Sequence, residues 1–110
     1  MERVLDELAK AGLQSDARFT ESYVDSRVRR GSGPQRIRAE LRERGIDDSL
    51  IAETLDLYTE QWWEELRRVH DGKYGSEPPA DRKEMARRAR FLEYRGFPTD
   101  LIRQLLFNPD

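Results

Sequence analysis

The stretch DARFTESYVDSRVRRGSGPQRIRAELRERGID (16–47) decides the fold. At about 100° per residue, Phe19, Tyr23, Val24 and Val28 fall within one half-turn arc, which is the stripe of an amphipathic helix. GSGP (31–34) interrupts it. Pro34 suits the first turn of a following helix, where its missing N–H would have had no helical partner. Ile37 and Leu41 then face inward, and Gly45 is placed to adopt the left-handed conformation that closes a helix. Arg27 falls inside the apolar arc, so its stem should pack and its head should find a partner within the fold. Arg29 and Arg30 lie at or beyond the edge of that arc.

Outward from this stretch, residues 3–11 read as a short helix closed by Gly12, with the next helix starting near Ser15 or Asp16 and running to Arg30. Asp47 or Asp48 can cap a helix from Ser49. Leu50, Ile51, Leu55, Tyr58, Trp62, Leu66 and Val69 keep one stripe with no Gly or Pro before Gly72, so 49–71 is one long helix or two meeting near Asp56. GKYGSEPPA (72–80) is a loop. A helix over about 81–95 ends at Gly96, and a last short one starts near Thr99. Arg36, Leu41, Arg44, Gly45, Leu50, Ile51 and Leu55 recur 51 residues later as Arg87, Leu92, Arg95, Gly96, Leu101, Ile102 and Leu106. The expected fold is all-α: a curved, elongated array of tandem three-helix repeats, in which each unit buries its stripe against its neighbour. Such an array suits a chain that is 38% charged, against about 25% for an average domain.

Net charge is −2, but residues 27–44 carry +5, residues 45–66 carry −7 and residues 82–95 carry +4. Such blocks can steer a charged partner. There is no cysteine, which removes disulfides and thiolate metal sites from consideration and suits a reducing cytoplasm. No apolar run approaches the about 18 residues of a membrane span. The one histidine, His70, has no cysteine beside it and reads as structural or exposed. No glycine-rich phosphate loop of the GxxxxGK[ST] kind is present. A non-enzymatic chain without cofactor or metal is therefore expected.

Two basic rows are the candidate partner-binding surface. Arg38 and Arg42 stack one turn apart, where like charges cost a few tenths of a kcal/mol; a purely solvated face balanced by Glu40 and Glu43 is the alternative. Lys83, Arg87, Arg90 and Tyr94 line one face of the helix over 81–95, opposite an inward stripe of Met85, Ala86, Ala89 and Leu92. Three cations and an aromatic in a row can hold phosphates and stack on a base. Their alternative is solvated cations with Tyr94 packed on the next helix. Arg29 and Arg30 complete the set. Trp62 and Trp63 point about 100° apart and are expected as core anchors beneath the loop 72–80, with one of them as an exposed partner anchor as the alternative.

The run 16–47 resembles the RecX family: an Asp-x-Arg-Phe helix start at Asp16, Arg18 and Phe19, then Tyr23 and Arg27, then Gly-Pro-x-Arg-Ile at 33–37. KYG (73–75) and RARFLEYRGF (88–97) extend the resemblance over nearly the whole chain. It implies two three-helix repeats, 15–57 and 58–110, with 1–14 as the last helix of a preceding, shortened repeat, and it favours the break near Asp56. It also implies a regulator of the recombinase RecA, a monomer that binds the RecA nucleoprotein filament and restrains its ATPase and strand exchange, with contact to single- or double-stranded DNA and without catalytic residues. Two other readings remain. One is a direct DNA binder using a helix-turn-helix over 34–57 or 81–107, although SLIAETL and DLIRQLL offer few polar groups to base edges. The other is a helical scaffold for an unrelated protein.

Overall fold

The computed structural model describes residues 2–107, with side-chain surroundings from residue 16 onward. Among the described residues it holds six helices: α1 (Glu2–Arg29), α2 (Pro34–Glu43), α3 (Asp48–Asp56), α4 (Trp62–Tyr74), α5 (Arg82–Tyr94) and α6 (Thr99–Phe107). No strand occurs among the described residues. The C-terminal half of α1 packs with α2 and α3, and α4, α5 and α6 form a second triplet. The molecule measures 67 × 20 × 19 Å with a radius of gyration of 17.6 Å. A compact chain of this length would have a radius near 13 Å, so the array is elongated.

Each unit turns on the same device. After α2, Gly45 (φ +81°) lets its own N–H reach the Arg42 carbonyl and the Ile46 N–H reach Leu41. After α5, Gly96 (φ +101°) repeats this with Glu93 and Leu92, and Phe97 takes the place of Ile46. In both turns the residue after the glycine is apolar and buried, which completes a Schellman closure. The end of α1 closes the same way, with Gly31 bonded to Val28 and Ser32 to Arg27.

Two helix boundaries differ from the sequence reading or resolve it. The expected stop at Gly12 does not occur, and α1 runs through it. A lone glycine costs a helix about 1 kcal/mol, and the following LQSDARF holds no proline or left-handed turn to use the break. The stripe over 49–71 does divide. Leu57, Tyr58, Thr59 and Gln61 each donate to the carbonyl three residues back, at 2.8–3.2 Å. This tightened turn separates α3 from α4 while keeping Tyr58 and Trp62 in ring contact at 5.8 Å. Tyr58 leans on α1, where burial first and the Asp25 carboxylate second raise its hydroxyl pKa above the ordinary tyrosine value.

The core is one continuous cluster. Val24, Val28, Ile37, Leu41, Ile51 and Leu55 from the first unit meet Leu66, Val69, Leu92, Phe97, Ile102 and Leu106 from the second. Arg27 behaves as the wheel implied: its Nε and Nη2 donate to the two Glu40 oxygens at 3.1 and 3.0 Å, tying α1 to α2.

The units meet backbone to backbone. The Gly33 N–H donates to the Arg95 carbonyl at 2.7 Å, and the Gln35 N–H donates to the Gly96 carbonyl at 2.9 Å. A Cβ on Gly33 would lie 2.5 Å from the Gly96 carbonyl carbon and oxygen, and one on Gly96 would lie 2.4 Å from the Arg36 Cβ. Two arginines of the second unit cap the end of α1: Arg68 donates to the Val28 carbonyl at 2.9 Å and Arg95 to the Arg30 carbonyl at 3.0 Å.

Gly33→Ala should therefore destabilise by about 2–4 kcal/mol, because backbone must move to make room. Gly72→Ala is the internal control. It lies in α4 with nothing within 4 Å of its Cβ position, and should stabilise by about 0.5–1 kcal/mol. Thermal unfolding of the two variants against the parent checks both signs.

Candidate partner-binding surface

Residues on α5 divide by face. Leu92 is fully buried, Met85 and Ala89 are half-buried, and Lys83, Arg87, Arg90 and Tyr94 are exposed on the opposite side. Ala86, expected in the inward stripe, is exposed. The position it was given belongs to Arg88, which is only 3% exposed. An arginine reaches that position because both terminal nitrogens are engaged, although its buried Nε has no partner. Nη2 donates to Glu84 at 2.5 Å and Nη1 to the Glu77 carbonyl at 2.9 Å, while the guanidinium lies 4.7 Å from the Tyr74 ring centre. Nη1 also meets His70 Nε2 at 3.2 Å. Arginine only donates, so Nε2 accepts and Nδ1 carries the proton that it donates to Asp71 at 2.9 Å.

His70 is therefore a buried structural residue. It and Arg88 pin the loop 75–81 to α4 and α5, a role the sequence reading gave to the tryptophans. Trp62 is buried, against Tyr58, and Trp63 is half-buried. The start of α5 is a reciprocal cap. Asp81 accepts from the Glu84 N–H at 2.8 Å, and the Glu84 side chain accepts from the Ala80 N–H at 3.1 Å.

The α5 row ends on a stacked pair. Tyr94 is 72% exposed, and the Arg36 guanidinium lies 5.0 Å from its ring centre. Lys83, Arg87, Arg90 and Tyr94 thus lie exposed on one face, and Arg36, which is half-buried and 3.7 Å from Glu40, stacks at its end, a neighbour that sequence reasoning missed. A signal for it was present. The 51-residue offset carries Arg36 onto Arg87, whereas it carries Arg38 onto Ala89 and Arg42 onto Glu93.

The same arithmetic sets the α2 row apart from the α5 row. Arg38 and Arg42 are exposed, but they lie on the flank of α2 away from Arg36, about 200° round the helix for Arg38. They do not share the side on which Arg36 meets Tyr94. Arg42 is also engaged locally, donating to Asp48 at 2.8 Å. Arg29 pairs with Asp25 at 3.0 Å across one turn of α1. Arg30 is exposed and has no carboxylate partner among the described residues. Exposed pairs such as those of Arg29 and Arg42 contribute at most about 1 kcal/mol each, so a polyanion can compete for these cations.

Among the described residues no three histidine or acidic side chains are placed to hold a metal, and no helix is long and apolar enough to cross a membrane. Two three-helix units joined through their turns, with an exposed basic row ending in a cation–aromatic stack, define a tandem three-helix-repeat protein. The family profile of the RecX second three-helix domain matches residues 15–55, and that of the third matches residues 59–106. The chain is similar to the regulatory protein RecX of Halorhodospira halophila, 46% identical over 91% of this chain and 62% of that protein. It is 43% identical to the regulatory protein RecX of Pseudomonas syringae over 96% of this chain and 68% of that protein. To that of Pseudomonas putida it is 42% identical over its full 110 residues, which cover 70% of that protein. The chain belongs to the RecX family, and spans about two thirds of the length of these relatives.

The Arg88 contact sets an acid dependence. Its hydrogen bond first, and the Ala80 N–H second, hold the Glu84 carboxyl below its ordinary 4.5. A carboxyl whose pKa is lower folded than unfolded adds stability at neutral pH, and that stability is lost as pH falls from the ordinary value through the depressed one. Glu84→Gln should therefore lower the melting temperature at pH 7 and flatten its decline below about pH 4.5. Equal declines for variant and parent would place the acid sensitivity elsewhere.

Proposed function

We propose that this chain regulates the recombinase RecA by lying on the RecA–single-stranded DNA filament and restraining its ATPase and strand exchange. Membership of the RecX family over both units carries the reading, since the relatives are regulatory proteins by name. The surface supports it. Lys83, Arg87, Arg90, Tyr94 and Arg36 form a row along one edge of an elongated body, which suits a filament better than a compact target would. The chain acts as a cytoplasmic monomer, needs no cofactor, and performs no chemistry itself. Its contacts to DNA run through phosphates, with Arg29, Arg30, Arg38 and Arg42 as secondary contacts from other faces.

The test is the DNA-dependent ATPase of RecA, measured with and without the chain. The chain should inhibit it. Lys83→Ala/Arg87→Ala/Arg90→Ala should keep the melting temperature, since all three side chains are exposed, and should lose most of the inhibition. Where the contacts are to phosphate, binding should weaken with salt at a log–log slope of about −0.7 per contact on single strands. A variant that inhibits as well as the parent would leave these cations as a solvated face and move the binding surface to Arg38 and Arg42 or to the acidic block.

A further inference from the structure

A second basic feature lies on a different part of the molecule, where the two units join. Arg30 and Gly31 from the end of α1, Arg68, Val69, Gly72 and Lys73 from α4, and Phe91 and Arg95 around the end of α5 line an open cleft of about 290 Å³. Four of these residues are cations and none is acidic. Arg68 is the one neutralised, by Glu65 at 2.6 Å. Arg30, Lys73 and Arg95 have no carboxylate partner among the described residues.

Part of this gathering has a structural cause. The end of α1 presents unpaired carbonyls and the negative end of the helix dipole, and Arg68 and Arg95 each spend one nitrogen there. That accounts for two of the four cations. Arg95 Nε is buried without a hydrogen-bond partner, as Arg88 Nε is, so it does not by itself mark a ligand. Lys73 is drawn over the Phe91 ring, with Nζ 4.0 Å from its centre, and Arg95 lies 5.7 Å from the same ring. Two unpaired like charges are thus held on one aromatic ring beside the cleft.

Its floor is kept low. Gly31 has φ +89°, and a Cβ there would lie 2.7 Å from Arg95 Nη2. Gly72 adds no side chain either. We infer that this cleft binds a phosphate group, held by Arg30, Lys73 and Arg95. An anion supplies the charge that these cations lack. The volume falls just short of the about 300–1,000 Å³ of pockets that enclose an organic ligand. One phosphate of a nucleic-acid backbone or a free phosphate therefore fits better than a whole nucleotide. The inference shares Arg30 with the filament reading but rests on the cleft's own residues. The phosphate and oligonucleotide titrations are run without RecA, so that its failure is distinguishable from that of the filament reading.

The experiment is a nitrogen-15 magnetic resonance titration of the intact chain at constant ionic strength, once with inorganic phosphate and once with a single-stranded oligonucleotide. Saturable shifts of the Arg95 Nε–H and the Gly72 amide are expected. Shifts with phosphate alone identify a free-anion site, and shifts only with the oligonucleotide identify a backbone site; both support the cleft. Arg30→Gln/Lys73→Gln removes two exposed cations without touching the Arg95 contact to Arg30, and should weaken the effective ligand at least tenfold with an unchanged melting temperature. The inference is overturned by an Arg95 Nε–H that stays put under both titrations. Equal affinity in the double variant overturns it too, as do oligonucleotide shifts confined to Lys83, Arg87 and Arg90.

Discussion

The close approach of Gly33 to Gly96 is the constraint on which the arrangement depends. Two peptide planes cannot come this near with a Cβ between them, and no side chain elsewhere replaces the two hydrogen bonds that the approach allows. Those bonds also satisfy the Arg95 and Gly96 carbonyls, which face away from the helix they end. With the loop after α1 seated on the turn after α5, Arg36 falls on Tyr94, Arg95 reaches the Arg30 carbonyl, and Arg68 reaches the Val28 carbonyl. The stack that ends the basic row and the cleft of unpaired cations both follow from one backbone contact.

The arginines divide by what their donors do. Arg27 and Arg88 are structural: each lies within an apolar stripe and is forked or wedged onto a glutamate, so its charge never faces water alone. Arg68 and Arg95 join the units through carbonyls. Lys83, Arg87, Arg90 and Arg30 do none of this and are exposed. A small core forces the first two uses, since buried cations must be matched. It leaves the third free for a partner.

Much of the architecture was legible in the sequence because it is written by punctuation. Gly31 through Pro34, Gly45 and Gly96 mark turns that only glycine and proline chemistry explains, and the 51-residue repeat pairs two of them. Gly12 misled because a glycine stops a helix only where the next residues use the stop. The wheel found Arg27 because aromatic and β-branched neighbours surround it. It missed Arg88, whose stripe of Met85, Ala89 and Leu92 accepts Ala86 almost as well on paper. The Arg36–Tyr94 stack was hidden for a different reason: it joins two units, and no periodicity within one helix reports on contact between helices. The same holds for the cleft, whose residues come from three separate segments.

The account stands on the two units forming one body through the Gly33–Gly96 contact, and native-state hydrogen exchange tests that most directly. The Gly33 and Gln35 amides belong to a loop and a first helical turn, positions that exchange quickly when nothing holds them. If the junction is intact they should exchange only as slowly as core amides such as those of Leu41 and Leu92, through global unfolding. Exchange of Gly33 and Gln35 at the rate of free amides, with Leu41 and Leu92 still protected, would mean that the units move independently and would contradict the account.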